Sequence, residues 1–239
     1  MAFFPSYAYL NQAYDRFTEL YGHIEVARQQ QGAKDENIGT TIIPEGSAVP
    51  AGPVRQINPF KDVKRGDWYY SAVLDMYSRD LMLGLAKDEF GWDKSLTRAM
   101  IVTILYRMAG EPAVRGNVNQ FNDVPENSWY VNAVKWAVDK KIVMGYGDGK
   151  FGPHDPVTKE QLAVLIYRMQ QASGKTPKNI STGKSWQDLD KTGAWAVEAV
   201  NVITSQALLN DIPGVYFNPQ APATRAEVAS ILSRYLAAE

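Results

Sequence analysis

The chain contains no cysteine, which rules out disulfides, thiolate metal sites and a cysteine nucleophile. Histidine is nearly as scarce. Only His23 and His154 are available as imidazole bases, and no serine or metal-ligand cluster is patterned with either. An excess of charge of one sign is also missing. The 25 basic and 26 acidic side chains leave a net charge of −1, so no global field recruits nucleic acid or an anionic membrane, and any charge recognition is local. No run approaches the roughly 18 apolar residues a spanning helix requires. The N-terminus, Met1 to Tyr7, has no basic segment and no long apolar one. Either an export signal has been removed and a new Met added, or the protein never uses that route. What is present is a chain of 239 residues, enough for one domain or two with a real core, and within it one pattern written three times.

Phe60-Lys61-Asp62-Val63, Phe121-Asn122-Asp123-Val124 and Trp186-Gln187-Asp188-Leu189 each open a unit, and each is followed by a tryptophan: Trp68, Trp129 and Trp195. Each unit closes on a threonine and a basic residue ahead of an apolar helical pattern: Thr97-Arg98, Thr158-Lys159 and Thr224-Arg225. The step from opening aromatic to threonine is 37, 37 and 38 residues. A repeat of about 60 residues is the signature of an architecture built from stacked units. Three copies of one site also point to binding rather than catalysis.

Residues 1–31 hold an expected amphipathic helix over 6–31. Tyr7, Leu10, Tyr14, Phe17, Tyr21 and Ile24 recur at alternating steps of three and four, the spacing of a coiled-coil seam. The seam is short and aromatic, so packing on the rest of the protein and self-association through residues 7–28 both stay open. Residues 32–58, with three prolines and four glycines, read as a linker, in which Thr40 to Ile43 could form one short strand. The repeats then occupy 59–116, 117–178 and 179–239. In each, a helix is expected near the tryptophan (68–81, 129–141, 194–206), then a Gly/Pro-rich loop, then a helix from the threonine (97–109, 158–172, 224–237). Two such helices cannot hide their apolar faces alone, so the three units are expected to pack into one mainly α body.

Thr224-Arg225-Ala226-Glu227 fits a capping box, in which the threonine hydroxyl takes the N3 amide and the N3 carboxylate takes the N-cap amide. Gln161 can do the same in the second copy; Met100 in the first cannot. Capping does not account for the basic residue, since a cation in the first turn faces the positive end of the helix dipole at a cost of about 0.3–1 kcal/mol. Free amides at a helix start together with a guanidinium would make a carboxylate or phosphate clamp. Chance or a salt bridge to a local Asp is the plainer alternative; the expectation is an anion site repeated around the body. The tryptophans are equally ambiguous: most buried ones are core, yet a sugar groove uses an aromatic face against the ring.

The aromatic-x-Asp-Val opening, the tryptophan, the loop Gly145-Tyr146-Gly147-Asp148-Gly149-Lys150-Phe151-Gly152-Pro153 and the Thr-Arg-Ala-Glu helix start together resemble the S-layer homology domain. Three tandem copies would cover residues 59–239. The resemblance implies a pseudo-threefold helical body, preceded here by the N-terminal helix and linker. It also implies noncovalent attachment to secondary cell-wall polysaccharide of bacteria, often bearing pyruvate ketals, in grooves between neighbouring repeats. By position, the cation that meets the ketal carboxylate would be Arg98, Lys159 or Arg225. Supporting roles would pass to Asp62, Asp123 and Asp188, and to Trp68, Trp129 and Trp195.

The copies depart from the family pattern. The first has Gly84 to Phe90 in place of the glycine-rich loop, and the third has Asn210-Asp211-Ile212-Pro213-Gly214. Lys159 is a point charge that cannot make the arginine fork. One or two working grooves are therefore expected, those with Arg98 and Arg225 being the stronger.

Two owners fit such a body: a bacterial surface assembly anchored through the N-terminal helix, or a phage or tail-like particle recognising a host wall. Asp and Glu are plentiful enough for a carboxylate-pair glycosidase, but no stretch outside the repeats has room for a catalytic domain. Asp148-Gly149 lacks the alternating oxygens of a calcium loop. The expectation is a non-catalytic protein with no metal and no cofactor.

Overall fold

The computed structural model describes residues 58–114, 117–118, 120–174 and 183–238. The helix expected over 6–31, the strand near Thr40 and the linker up to residue 57 lie outside the described residues. Six α-helices follow, two per repeat: α1 (Tyr70–Ser78) and α2 (Arg98–Met108), α3 (Val131–Asp139) and α4 (Lys159–Ser173), α5 (Val197–Ser205) and α6 (Arg225–Ala238). Among the described residues there is no sheet, only isolated bridges.

The second helix of each repeat starts at its threonine. Thr97 Oγ1 accepts the Met100 amide at 3.3 Å and nothing returns the bond. Thr158 and Gln161 exchange bonds of 3.3 and 3.2 Å, and Thr224 and Glu227 exchange bonds of 2.8 and 3.3 Å. The first helices are shorter than their apolar patterns suggest. Trp68, Trp129 and Trp195 sit in the turns that lead into them rather than on them. Their C-termini are cut by Asp80, Lys141 and Ala207, all left-handed at φ 57°, 57° and 58°. The next amides, of Leu81, Ile142 and Leu208, reach back to the carbonyls of Met76, Ala137 and Ile203. This is the hydrogen bond of a Schellman stop, closed by a buried apolar residue. Lacking glycine at those positions costs roughly 1 kcal/mol each.

The helices pair across repeats rather than within them. α2 packs on α3, α4 on α5, and α6 returns to pack on α1. Tyr106 meets Trp136 at 5.6 Å between ring centres. Buried Gln170 and Gln206 trade two amide bonds. Ser233 Oγ donates to Asp75 at 2.7 Å across the closing pair. Each repeat thus lends its second helix to its successor, and the third completes the first.

At the centre of this ring lie the residues just before the three threonines. The Val157 amide donates to the Leu96 carbonyl at 2.9 Å, the Ala223 amide to Val157 at 2.9 Å, and the Leu96 amide to Ala223 at 3.2 Å. All three residues are fully buried. Three extended segments therefore satisfy one another in a closed triangle, flanked by the bridges Ser95–Thr224, Thr97–Pro156 and Thr158–Pro222. No strand is long enough to do this alone, so each repeat requires the other two.

A chain ending at residue 182 would leave α1 and α4 without partners and the Leu96 amide without an acceptor. We expect its thermal unfolding by circular dichroism to lose the sharp transition of the full chain; a sharp transition retained would show that the repeats fold pairwise.

Candidate ligand-binding grooves

Each groove is assembled from two consecutive repeats, beginning with the opening motif. Phe60 packs on Phe90 at 5.3 Å between ring centres, Phe121 on Phe151 at 5.7 Å and Trp186 on Phe217 at 6.2 Å. The aspartate two residues on holds the same loop through both oxygens. Asp62 accepts the amides of Phe90 and Gly91 at 2.8 and 2.7 Å. Asp123 accepts those of Phe151 and Gly152, both at 2.8 Å, and Asp188 those of Phe217 and Asn218 at 2.6 and 2.8 Å. The second amide of each pair belongs to a left-handed residue: Gly91 at φ 73°, Gly152 at φ 70° and Asn218 at φ 55°. Glycine reaches that region freely and asparagine is among the few others that tolerate it.

The loop so held faces the helix start of the preceding repeat. The N1 amides of Arg98, Lys159 and Arg225 donate to the carbonyls of Asp155, Ala221 and Lys94. The N2 amides of Ala99, Glu160 and Ala226 donate to those of Pro153, Pro219 and Trp92. The N3 amides belong to the threonines. The free-amide anion clamp anticipated from the sequence is therefore not how these helix starts are built. Neighbouring loops occupy the amides, and what remains is the cation.

That cation meets three different surroundings. Arg98 is 7% exposed; its Nε donates to the Phe151 carbonyl at 2.8 Å, and its guanidinium lies 4.5 Å from the Tyr146 ring centre and 5.0 Å from that of Phe151. Among the described residues nothing accepts from its two η nitrogens. Arg225 is 6% exposed, with Nε on the Phe90 carbonyl at 2.8 Å, Nη2 on the Leu83 carbonyl, and the Phe90 ring centre 4.4 Å away. Neither arginine forms a salt bridge among the described residues. Burial lowers the pKa of Arg98, against the opposing pull of Tyr146, Asp155 and Asp123. Burial pushes Arg225 down to about 10, with Asp62 alone opposing. Both remain cations at neutral pH, desolvated and without a direct counter-ion.

Lys159 differs. Its Nζ donates to Glu227 Oε1 at 2.5 Å, with both side chains largely buried. The pair stands at a small apolar cleft with room for about one water, about 10 Å³, formed with Leu162, Trp186, Ile212, Tyr216 and Phe217.

The tryptophans are outside the core. Trp68, Trp129 and Trp195 are 36, 38 and 59% exposed. Trp68 stands edge-on to Tyr69, which stacks on Trp92 at 5.2 Å and 15°, and the Trp92 carbonyl holds the Ala226 amide beside Arg225. In the next repeat Trp129 meets Tyr130 edge-on, and Tyr130 meets His154, next to the Pro153 whose carbonyl holds Ala99. Trp195 lies over Gly193, whose amide donates to Glu160 Oε2 at 2.9 Å, next to Lys159. Each tryptophan is thus connected, through intermediate residues, to a helix start that carries a cation.

In the sequence Glu227 reads only as a cap, and Tyr146 carries no evident role. A carboxylate has two oxygens, and the coincidence of Lys in one repeat with Glu at N3 of the next was the available signal. Tyr146, with its hydroxyl donating to Asp155 at 3.0 Å beneath Arg98, left no comparable trace, because the other copies have Leu85 and Ile212 there.

Three tandem units that share helices and enclose buried cations at their junctions define a repeat-built binding body. The S-layer homology domain family matches residues 59–99, 120–163 and 187–229, more than half of the chain. The chain belongs to that family. It is similar to exoglucanase XynX of Acetivibrio thermocellus, at 27% identity over 77% of this chain and 17% of that protein. It is also similar to the cellulosome-anchoring protein of Acetivibrio thermocellus, at 26% identity over 64% of this chain and 34% of that protein. The surface-layer 125 kDa protein of Lysinibacillus sphaericus is 29% identical over 50% of this chain and 10% of its own length. The chain thus spans about a third or less of each of these relatives.

Replacing Asp123 with Ala frees the amides of Phe151 and Gly152 and removes a charge facing Arg98. With about 1.5–3 kcal/mol for a hydrogen bond to a charged group, unfolding free energy measured in urea should fall by about 3 kcal/mol or more. A change within experimental error would mean that the loop holds its shape without the carboxylate.

Proposed function

We propose that this protein binds bacterial secondary cell-wall polysaccharide through the grooves at Arg98 and Arg225, which take the carboxylate of a pyruvate ketal. The protein acts at the bacterial cell surface, as its family does. The observation that carries the finer reading is two guanidinium groups, each more than nine-tenths buried, with η nitrogens left over and no carboxylate bonded to them. Removing a charge from water without a partner is costly. An incoming carboxylate returns that cost through charge-assisted bonds of the kind arginine makes best.

A ketal suits the site better than a free acid. Its carboxylate is fixed to a sugar ring whose apolar face can lie against an exposed indole, and each repeat carries one, Trp68, Trp129 and Trp195. Asp62 and Asp123 serve this reading indirectly, by holding the loops whose carbonyls aim the arginines and by supplying distant negative charge, while Asp188 holds the corresponding loop over the helix start of Lys159. Lys159, already paired, contributes least. The aromatic a/d spacing of residues 7–28 supports that segment as the element joining the body to an assembly.

Purified protein should bind pyruvylated wall polysaccharide and raise its own melting temperature with ligand concentration, since ligand binds only the folded grooves. Acid removal of the ketal should abolish both effects; equal binding to the stripped polymer would overturn the carboxylate mechanism. Arg225→Ala and Arg98→Ala should each weaken the intrinsic affinity of their own groove by about 10- to 100-fold, the loss expected for a charged hydrogen bond. Lys159→Ala should change binding by less than about twofold on the same scale. Circular dichroism of each variant separates lost contact from lost fold.

A further inference from the structure

We infer that the residue at N3 of each second helix decides whether the groove of the preceding repeat accepts an anion, and that Glu227 closes the groove at Lys159. The inference rests on the carboxylate-binding reading above but concerns a residue that reading does not use. The ring geometry makes the assignment. Arg98 reaches the loop of the second repeat and Arg225 that of the first, so each cation faces the repeat that follows it in the cycle. Lys159 faces the third repeat, where it meets Glu227. Positions equivalent to Glu227 are Gln161, in the repeat that Arg98 faces, and Met100, in the repeat that Arg225 faces. Only the groove at Lys159 has an ionised group at that position.

One carboxylate does two jobs there. Glu227 Oε2 accepts the Thr224 amide at 2.8 Å, completing the cap, while Oε1 takes the Lys159 ammonium at 2.5 Å. Gln161 caps in the same way, its Oε1 accepting the Thr158 amide at 3.2 Å, but as a neutral amide it brings no negative charge to that position. Met100 makes no return bond to Thr97. The half-made cap of the first repeat thus also brings no anion to the N3 position of the repeat that Arg225 faces. A ligand carboxylate entering the groove at Lys159 would have to displace an intramolecular one held at contact distance by a fixed helix turn, and would meet the displaced charge beside it.

Capping and closure can be separated, because glutamine caps without charge. Glu227→Gln and Gln161→Glu are near-isosteric exchanges that keep the capping geometry. Titration calorimetry of the full chain with a methyl hexoside carrying a 4,6-pyruvate ketal should count two sites in the wild type. It should count three in Glu227→Gln and one in Gln161→Glu. The site gained by Glu227→Gln should vanish when Lys159→Ala is added. An unchanged count in either single variant, with the wild type binding, overturns the inference and leaves the proposed function standing, as does a wild-type count of three. No binding by the wild type overturns the proposed function and the closure rule with it.

Discussion

Everything in the body hangs on a triangle of three backbone hydrogen bonds. Leu96, Val157 and Ala223 each give an amide to one repeat and a carbonyl to another, at the point where three helices begin. A buried peptide group has to be satisfied, and here the only partners within reach come from other repeats. The triangle fixes where the helices start and in which cyclic order the loops lie over them. That order places the cation of one repeat under the loop of the next. Binding geometry is thus a by-product of a purely main-chain closure, and side chains are left to set the chemistry of each junction.

The three junctions show how far one frame can diverge. The frame parts recur with little change: threonine caps, aspartate clamps, a left-handed residue after the loop aromatic. The variable parts sit on the groove walls. Tyr146 backs one arginine where Leu85 and Ile212 stand elsewhere, Trp92 takes the place of Pro153 and Pro219, and Met100, Gln161 and Glu227 run from apolar to charged. Because wall residues carry little of the fold, they can change the affinity of one groove without disturbing the other two. On the function proposed above, a polymer with repeated acidic groups would be held at more than one point by unequal contacts, which raises avidity without demanding a strong single site.

Much of this was legible in the sequence, for reasons that can be named. The repeat, the helix starts and the Thr224–Glu227 and Thr158–Gln161 boxes are local patterns, read within four residues. The basic residues were singled out because capping could not explain them. What escaped was non-local. No periodicity says that α2 pairs with α3 rather than with α1, or that Asp123 spends both oxygens on amides 28 and 29 residues away. The tryptophans were ambiguous because an indole at a helix entry looks the same whether it turns inward or outward. The supposed free amides at the helix starts were an error of the same origin. They are free only in an isolated helix, and the carbonyls that take them belong to other repeats.

The pairing of α6 with α1 carries a consequence for how the body forms. Repeat proteins usually fold from neighbouring contacts, fast and from any starting point. Here the closing bond from Ser233 to Asp75 spans 158 residues, and loop-closure entropy sets in before any of the contacts that repay it. Synthesis can therefore proceed on a chain that commits late. The first repeat stays incomplete until the last has emerged, and the groove at Arg225, which joins the last repeat to the first, is finished only then.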